Sequence, residues 1–184
     1  MTQSGTILRQ TDPDHPPLNR RWDLTAAGAG QLWTIAGVDE SSLFAAGANP
    51  MGNAGVIFKL NRATDTWVKQ TIAAGATVND VSVVSGSLAY AGTEDKDLFL
   101  WNGSSWTKVS SNTFGDAIYG VKAFSAGQVY AVGDRATIRT WDGGSWTTVA
   151  AFDAGLNGYL ARIRGLDVCE MWAVGTSGLV AGNP

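Results

Sequence analysis

The chain has 184 residues, of which 45% are hydrophobic and 16% charged, and its formal net charge is -3. A chain of this size can bury one substantial core, and its apolar fraction argues against disordered and membrane-spanning classes. The acidic balance argues against nucleic acid as a partner, because nucleic-acid binders need a basic surface.

Two features bear on the compartment. The N-terminal stretch MTQSGTILRQ lacks the apolar core of a secretory signal peptide. We therefore expect a cytoplasmic protein, part of a particle assembled in the cytoplasm, or a chain whose leader has been removed. Cys169 is the single cysteine, so no internal disulfide can form, and its run VCEMWAV predicts a small buried side chain.

The N-terminal part contains two strand-like runs, SGTILRQ (4–10) and RRWDLT (20–25). Between them, TDPDHPPLN (11–19) holds the only histidine, His15. With the two aspartates of that loop, His15 could contact a metal. Three prolines instead favour a stiff, solvated loop, and a metal site needs more ligands at fixed spacing, so we predict no metal there.

From residue 31 onward the sequence repeats. Runs ending in glycine recur as LFAAG, LAYAG, VYAVG and MWAVG, with the glycines 45, 41 and 42 residues apart at Gly47, Gly92, Gly133 and Gly175. Tryptophans recur 39 and 40 residues apart at Trp67, Trp106 and Trp146. A period of about 40 residues is typical of a repeat architecture.

Each repeat is predicted to contain four short strands. In the third repeat these are IYGVKAF (118–124), QVYAVG (128–133), TIRTW (137–141) and SWTTVAAF (145–152), separated by Gly, Asp and Ser turns. Four-stranded units of this period are the blades of a β-propeller. The sequence therefore predicts an all-β fold with one propeller domain over 1–184. Its expected blades are 31–72, 77–111 and 116–152, with a closing blade made from 3–30 and 158–184.

Two hexapeptides, WNGSSW (101–106) and WDGGSW (141–146), are predicted hairpins. Their Asn-Gly and Asp-Gly pairs tolerate positive φ and suit tight primed turns. The hexapeptides resemble degenerate hairpins of the BNR or Asp-box propeller repeats. That resemblance implies a propeller in which the box is a structural turn rather than a catalytic element. Sialidases, lectins and assembly factors share such propellers, so the resemblance does not choose a function.

The fourth repeat shows its first two strands and then ends in GTSGLVAGNP, while the N-terminal runs look like the third and fourth strands of a blade. Three arrangements follow. The chain could close its own four-bladed ring. Its last blade could be completed by a second copy, giving an eight-bladed homodimer. Or the chain could be a fragment of a longer propeller.

The first strand of each blade should line a central channel. Alternation along these four strands places Asp80, Lys122, Arg162 and Arg164 near the axis. Three cations and one carboxylate could hold an anionic ligand. In the alternative, Asp80 pairs with a neighbouring arginine and the rest are solvated.

The tryptophans divide by register. Trp67, Trp106 and Trp146 follow the blade period and are predicted to pack between blades. Trp22 and Trp33 lie outside that register, so they are the candidates for exposure and for stacking on a glycan.

The function that fits best is a non-catalytic propeller scaffold that presents loops or the channel mouth to a protein partner, as a structural component of a larger particle. A propeller lectin is the alternative. A sialidase-type glycosidase would draw on Tyr119, Asp80 and the two channel arginines, but four units with short loops do not suit it. No motif indicates a cofactor. The turn TEDKD (93–97) could bind calcium but is more typical of a solvated charged turn.

Overall fold

The computed structural model describes residues 6–10, 22–26, 30–110, 115–151, 158–176 and 180–182. Its elements are β-strands, numbered in chain order. Their bounds are β1 Thr6–Gln10, β2 Trp22–Ala26, β3 Gln31–Ala36, β4 Phe44–Ala48, β5 Gly55–Asn61, β6 Thr66–Gln70, β7 Val78–Ser85, β8 Leu88–Thr93, β9 Leu98–Trp101, β10 Trp106–Ser110, β11 Ile118–Ser125, β12 Gln128–Gly133, β13 Thr137–Trp141, β14 Trp146–Ala151, β15 Leu160–Asp167, β16 Glu170–Gly175 and β17 Val180–Gly182. No helix within these ranges is long and apolar enough to cross a membrane.

The strands form antiparallel sheets in chain order. Blade 1 (β3–β6), blade 2 (β7–β10) and blade 3 (β11–β14) are four-stranded, and each strand pairs with the next along the chain. β15–β17 form a three-stranded C-terminal sheet, and β1–β2 form an N-terminal hairpin. The inner strands β3, β7, β11 and β15 contact one another in that order. The chain is therefore an all-β protein with the β-propeller fold, as the repeat predicts.

A β-bulge recurs near the start of every inner strand. The register with the second strand shifts by one residue at the same place in all four sheets. The residues at the shift are Trp33, Asn79, Tyr119 and Ala161. Because a bulge redirects the side chain of the extra residue, these four positions are set apart from the alternation of the rest of the strand. They lie at one end of the surface that the four inner strands form, which we call the inner wall.

One repeat position differs from the prediction. The repeat glycines of blades 1 and 3, Gly47 and Gly133, pair with the residue just before the bulge. In blade 2 that place belongs to Thr93, and Gly92 lies one position earlier along β8. The predicted alignment of Gly92 is therefore wrong by one residue. Glycine is required at position 92 for a different reason, because a Cβ there would collide with the side chain of Ile118 in blade 3.

The two hexapeptide hairpins close in the same way. The tryptophans of each copy pair across the hairpin, Trp101 with Trp106 and Trp141 with Trp146. Gly103 and Gly143 have φ values of 98° and 101°, as the Asn-Gly and Asp-Gly pairs predict. The backbone N–H of the first loop residue donates to the carbonyl of the fourth, Asn102 to Ser105 at 3.3 Å and Asp142 to Ser145 at 3.2 Å. Two residues lie inside this bond, and the glycine with positive φ is the first of them, which agrees with the predicted tight primed turn.

The first turn residue organises each of these loops with its side chain. Asn102 Oδ1 accepts hydrogen bonds from the backbone N–H groups of Ser104 and Ser105, both at 3.0 Å. Asp142 Oδ1 accepts the equivalent bonds at 2.8 and 2.7 Å. An Asx side chain that accepts from the backbone two or three residues later holds such a turn without strain at its own position.

Aromatic residues of the second strands link neighbouring blades. The ring of Phe44 in β4 lies 5.4 Å, centroid to centroid, from the rings of both Trp101 and Trp106 in blade 2. Tyr90 lies at the same place in β8 and shares a buried cluster with the tryptophans of blade 3. As predicted, the periodic residues Trp106 and Trp146 pack between blades.

The last sheet differs from its prediction. It contains β17 in addition to the two strands that the sequence indicates, and β17 lies where a third blade strand belongs. Among the described residues, β1 pairs with β2 alone and β17 with β16 alone. Ile7 of β1 packs on Val56 and Phe58 of blade 1. How the closing blade is completed stays a prediction.

Cys169 is exposed, which contradicts the predicted buried position. It lies in the turn between β15 and β16, where Asp167 Oδ1 accepts the backbone N–H groups of Cys169 and Glu170 at 2.8 and 3.0 Å. The prediction failed because the apolar run becomes a buried strand only after this turn.

Candidate functional site

Asp80 is the centre of a hydrogen-bond network on the inner wall. Its carboxylate is fully buried. Arg164 of β15 donates to it from Nη1 at 2.9 Å and from Nη2 at 3.2 Å. Thr34 Oγ1 of blade 1 donates at 3.0 Å, and the backbone N–H of Val121 in blade 3 donates at 3.1 Å. One carboxylate therefore joins three other sheets.

Lys122 completes this group, which we call the axis cluster (Thr34, Asp80, Lys122 and Arg164). Burial, and then the positive charge of Arg164, lower the pKa of Lys122. Its Nζ lies 4.8 Å from the centroid of the Phe124 ring. Within the described part of the chain, no carboxylate forms an ion pair with Lys122. The cluster thus holds one satisfied ion pair and one further cation.

Arg162 lies apart from the axis cluster. Its Nη1 donates to two backbone carbonyl oxygens, that of Tyr119 at 3.0 Å and that of Ala161 at 2.7 Å. The structure therefore brings Asp80, Lys122 and Arg164 together, as the alternation of the inner strands predicts, but uses Arg162 to tie β15 to β11. Two of the three predicted cations are already engaged by the protein. The Asp80–Arg164 pair is the arrangement that the alternative interpretation expects.

A second group of polar and aromatic side chains surrounds the end of the wall where the inner strands begin. We call it the entry rim (Asn79, Glu94, Tyr119, Asp134 and Tyr159). Asn79 Nδ2 donates to Glu94 Oε2 at 3.0 Å. The rings of Tyr119 and Tyr159 lie 4.9 Å apart, and Tyr159 is 39% exposed. Asn79 and Tyr119 are the bulge residues of their strands, so the repeated bulge helps to present them here.

The two carboxylates of the entry rim face the Tyr119 hydroxyl. That hydroxyl lies 3.5 Å from Glu94 Oε1. Burial, followed by the negative charges of Glu94 and Asp134, raises the pKa of Tyr119. Asp134 Oδ2 also accepts the backbone N–H of Ala117 at 3.3 Å. No Lys or Arg forms an ion pair with Glu94 or Asp134 within the described ranges. The rim thus presents two tyrosine rings beside two carboxylates, a surface suited to a cation.

The predicted stacking aromatics have different surroundings. Trp33 is 54% exposed at the bulge of β3. Trp22 begins β2 opposite Gln10, as Trp106 lies opposite Trp101. That Trp22 and Trp33 stack on a glycan stays a prediction. The loop that holds His15 lies outside the described residues.

The acidic turn after β8 is organised by bonds within the protein. Thr93 Oγ1 donates to the backbone carbonyl of Asp97 at 3.3 Å, and the Asp97 carboxylate pairs with Lys108 Nζ at 2.5 Å. Nowhere in the described ranges do three His, Cys, Asp or Glu residues gather as they would around a metal ion.

Three members of the entry rim are not among the residues predicted to bind an organic ligand or a partner: Glu94, which the sequence places in the acidic turn TEDKD, Asp134 and Tyr159. Each lies in a loop or just before a strand, where alternation gives no direction for a side chain. The signal that could have found them is positional. Glu94 and Asp134 follow the second strands of blades 2 and 3, and such loops lie at the end where the inner strands begin.

No protein-family profile matches the chain, and no curated sequence matches it. Solved structures do. YCF48 from Cyanidioschyzon merolae is 14% identical, with a TM-score of 0.63 over 84% of this chain and 51% of its own. The WD40 β-propeller domain of Doa1 is 18% identical, with a TM-score of 0.69 over 98% of this chain and 58% of its own. YCF48 bound to D1 peptide is 10% identical, with a TM-score of 0.63 over 88% and 54%.

These similarities establish the propeller fold. The chain spans a little over half the length of the chains it matches. At these sequence identities the similarity shows the fold alone, and what a relative binds is not carried over to this chain.

Proposed function

We propose that this chain is a non-catalytic propeller scaffold that binds a protein partner at the entry rim. The observation that carries the proposal is the Tyr119–Tyr159 pair, with ring centroids 4.9 Å apart and one ring partly exposed. A similar propeller, YCF48, has been solved bound to the D1 peptide, which supports peptide binding by a propeller of this shape.

The chemistry of the rim favours a basic segment of the partner. Tyrosine rings attract a cation through their electron-rich faces, and charge-assisted bonds to carboxylates add to that attraction. Glu94 is exposed and Asp134 is half-buried, so both can receive an Arg or Lys side chain from solvent. The protein's net charge of -3 supports the same sign of partner.

The axis cluster is less suited to bind a ligand. Asp80 already accepts four hydrogen bonds, and Arg164 donates two of them. An anion would have to compete with Asp80 for that arginine. We therefore assign the cluster a structural role and leave only Lys122 for an anion.

Tyr119 and Asp80 also support the inference that the chain is not an enzyme. A sialidase-type nucleophile needs an ionised tyrosine, yet the surroundings of Tyr119 raise its pKa. A general acid must reach substrate, yet Asp80 is fully buried. Hydrolysis of a chromogenic glycoside that is lost in Tyr119→Phe would contradict this inference.

A peptide selection tests the proposal. Random peptides displayed on phage are panned against the wild-type chain and against Tyr159→Ala and Glu94→Gln. We expect enriched peptides to carry Arg or Lys, and synthetic copies to bind both variants about tenfold more weakly. Glu170→Gln, at the exposed residue that begins β16 at the other end of the sheet, is the matched control and should bind normally.

Two results would contradict the proposal. One is a selection with no enriched peptide. The other is enriched peptides whose affinity neither rim variant changes. Trp33, at 54% exposure, supports the lectin alternative. Binding on a glycan array that Trp33→Ala abolishes, together with no peptide enrichment, would favour that alternative.

A further inference from the structure

The hairpin between β9 and β10 holds an asparagine that is followed by glycine. In the sequence, the asparagines that precede a glycine are Asn102 and Asn157, and Asn157 lies outside the described residues. Asparagine is among the thermolabile residues of proteins. A following glycine has no Cβ, so its backbone nitrogen is unshielded beside the asparagine side chain. Asn102 and Gly103 are both exposed, and water therefore reaches the pair.

Three donors converge on the side-chain oxygen of Asn102. The backbone N–H groups of Ser104 and Ser105 donate to Oδ1, both at 3.0 Å. Ser104 Oγ donates to the same oxygen at 2.9 Å. Donors placed around a carbonyl oxygen stabilise the negative charge that develops there when a nucleophile adds to the carbon. The turn therefore activates the Asn102 amide toward attack by a neighbouring nitrogen.

We propose that Asn102 is a site of spontaneous deamidation that its own turn promotes. The backbone nitrogen of Gly103 loses its proton to solvent and attacks Asn102 Cγ, so that a bond forms between these two atoms within one turn. The bond from Cγ to Nδ2 breaks, and the leaving nitrogen takes a proton from water and departs as ammonia. Water then opens the cyclic imide. Cleavage of the new bond to Cγ gives aspartate, and cleavage at the backbone carbonyl of residue 102 gives isoaspartate.

The matching hairpin of blade 3 shows that the aspartate product fits such a turn. Asp142 occupies the place of Asn102, and its Oδ1 accepts the backbone N–H groups of Gly144 and Ser145 at 2.8 and 2.7 Å. Ser145 Oγ donates to Asp142 Oδ2 at 3.0 Å. Deamidation to aspartate should therefore keep the turn and add one negative charge to the net charge of -3.

The isoaspartate product should not fit. Its main chain runs through Cγ and gains one CH₂ group between Trp101 and Trp106, which pair across the hairpin. The carbonyl that accepted the N–H groups of the turn becomes part of the backbone, so the turn loses these bonds. Both tryptophan rings lie 5.4 Å from the ring of Phe44 in blade 1. Isoaspartate should therefore weaken the packing between blades 1 and 2, and this effect is independent of the proposed peptide binding.

Peptide mapping by mass spectrometry tests the proposal. The wild type, Ser104→Ala and Ser105→Ala are incubated in mildly alkaline buffer, and the conversion of amide to acid at Asn102 is followed with time. Ser104→Ala removes the hydroxyl donor and should slow the conversion about three- to tenfold, because a donor in contact with water stabilises developing charge less than a buried one. Ser105→Ala is the matched control, since Ser105 donates through its backbone, and it should react at the wild-type rate. Asn61, which precedes arginine, is the internal reference and should remain an amide.

Incubation in concentrated guanidinium chloride separates the effect of the turn from that of the dipeptide. Unfolding removes the three donors but keeps Asn102 beside Gly103, so the folded wild type should react about three- to tenfold faster than the unfolded chain. Equal or slower conversion in the folded chain, or equal rates in Ser104→Ala and Ser105→Ala, would overturn the proposal. In aged wild-type protein, isoaspartate molecules should melt at a lower temperature than the Asn102→Asp variant. Coincident melting would contradict the expected loss of the turn.

Discussion

Asp80 and Arg164 form a two-pronged ion pair between inner strands that are two sheets apart, with Nη1–Oδ2 at 2.9 Å and Nη2–Oδ1 at 3.2 Å. The carboxylate is fully buried, while the arginine side chain is 56% exposed. The same carboxylate accepts bonds from blades 1 and 3. The pair therefore links the inner strands. We expect Asp80 and Arg164 to contribute different amounts to the free energy of unfolding.

Asp80→Ala should destabilise the fold more than Arg164→Ala. Removing the carboxylate leaves the Thr34 hydroxyl and the Val121 N–H without their acceptor, at a cost of about 2–3 kcal/mol. Removing the arginine should cost less, because its side chain is 56% exposed and its loss opens the Asp80 carboxylate to water. The free energy of unfolding in urea measures both.

Asp80→Asn separates charge from hydrogen bonding. It keeps one acceptor oxygen and should fall between the two alanine variants. Equal losses for Asp80→Ala and Arg164→Ala would show that the ion pair alone, rather than the link to three sheets, carries the stability.

The strand pattern could be predicted from the sequence because alternation and turn residues are local. QVYAVG and TIRTW were predicted as strands over the bounds that β12 and β13 have. The errors are at turns. Cys169 and the alignment of Gly92 depend on where a turn places the next strand, and neither composition nor alternation reports that.

The site could be predicted in part. Alternation places Asp80, Lys122 and Arg164 on one wall, and the structure has them there. Alternation does not predict which arginine forms the ion pair with Asp80, because that depends on the spacing between sheets. Arg162 instead reaches the Tyr119 carbonyl because the bulge offsets the start of each inner strand.

Tyr119→Phe should weaken the loss of stability at alkaline pH. Burial, and then the neighbouring carboxylates of Glu94 and Asp134, raise the pKa of Tyr119 in the folded state above its ordinary value of 10.0. The unfolded chain therefore loses this proton first, and stability falls as pH rises above about 10. Urea denaturation between about pH 8 and 11 should show a shallower decline in the variant.

Tyr90 limits the size of that effect. Burial also raises the pKa of Tyr90. A residual decline should therefore remain in Tyr119→Phe and shrink further when Tyr90→Phe is added. Parallel pH curves for the wild type and Tyr119→Phe would mean that Glu94 and Asp134 do not act on the hydroxyl in solution.

Gly120→Ala should destabilise the contact between blade 3 and the C-terminal sheet. A Cβ at Gly120 would lie 2.9 Å from both the Cα of Arg162 and the backbone N of Ile163. Since backbone cannot move aside cheaply, we expect a loss of about 1–3 kcal/mol. Gly144→Ala is the control, because its nearest neighbour lies at 3.8 Å. Similar melting temperatures for the two variants would contradict the close approach of β11 and β15.

The hexapeptide hairpins offer a matched test of charge in a turn. Asp142 and Asn102 accept equivalent backbone hydrogen bonds, but only Asp142 titrates. The N–H groups of Ser145 and Gly144 lower the pKa of Asp142 below its ordinary value of 3.8. Its bonds therefore stabilise the fold above that value and weaken as pH falls through the lowered pKa.

Asp142→Asn should keep the turn and lose this part of the acid dependence. Asn102 shows that an amide accepts the same bonds, so stability near neutral pH should change little. Below about pH 4 the stability of the wild type should decline more steeply than that of the variant. Urea denaturation at a series of pH values measures the difference, and Asn102→Asp should introduce the same dependence into the other hairpin. If neither exchange alters the acid limb, the Asx bonds of these turns do not contribute to the free energy of unfolding.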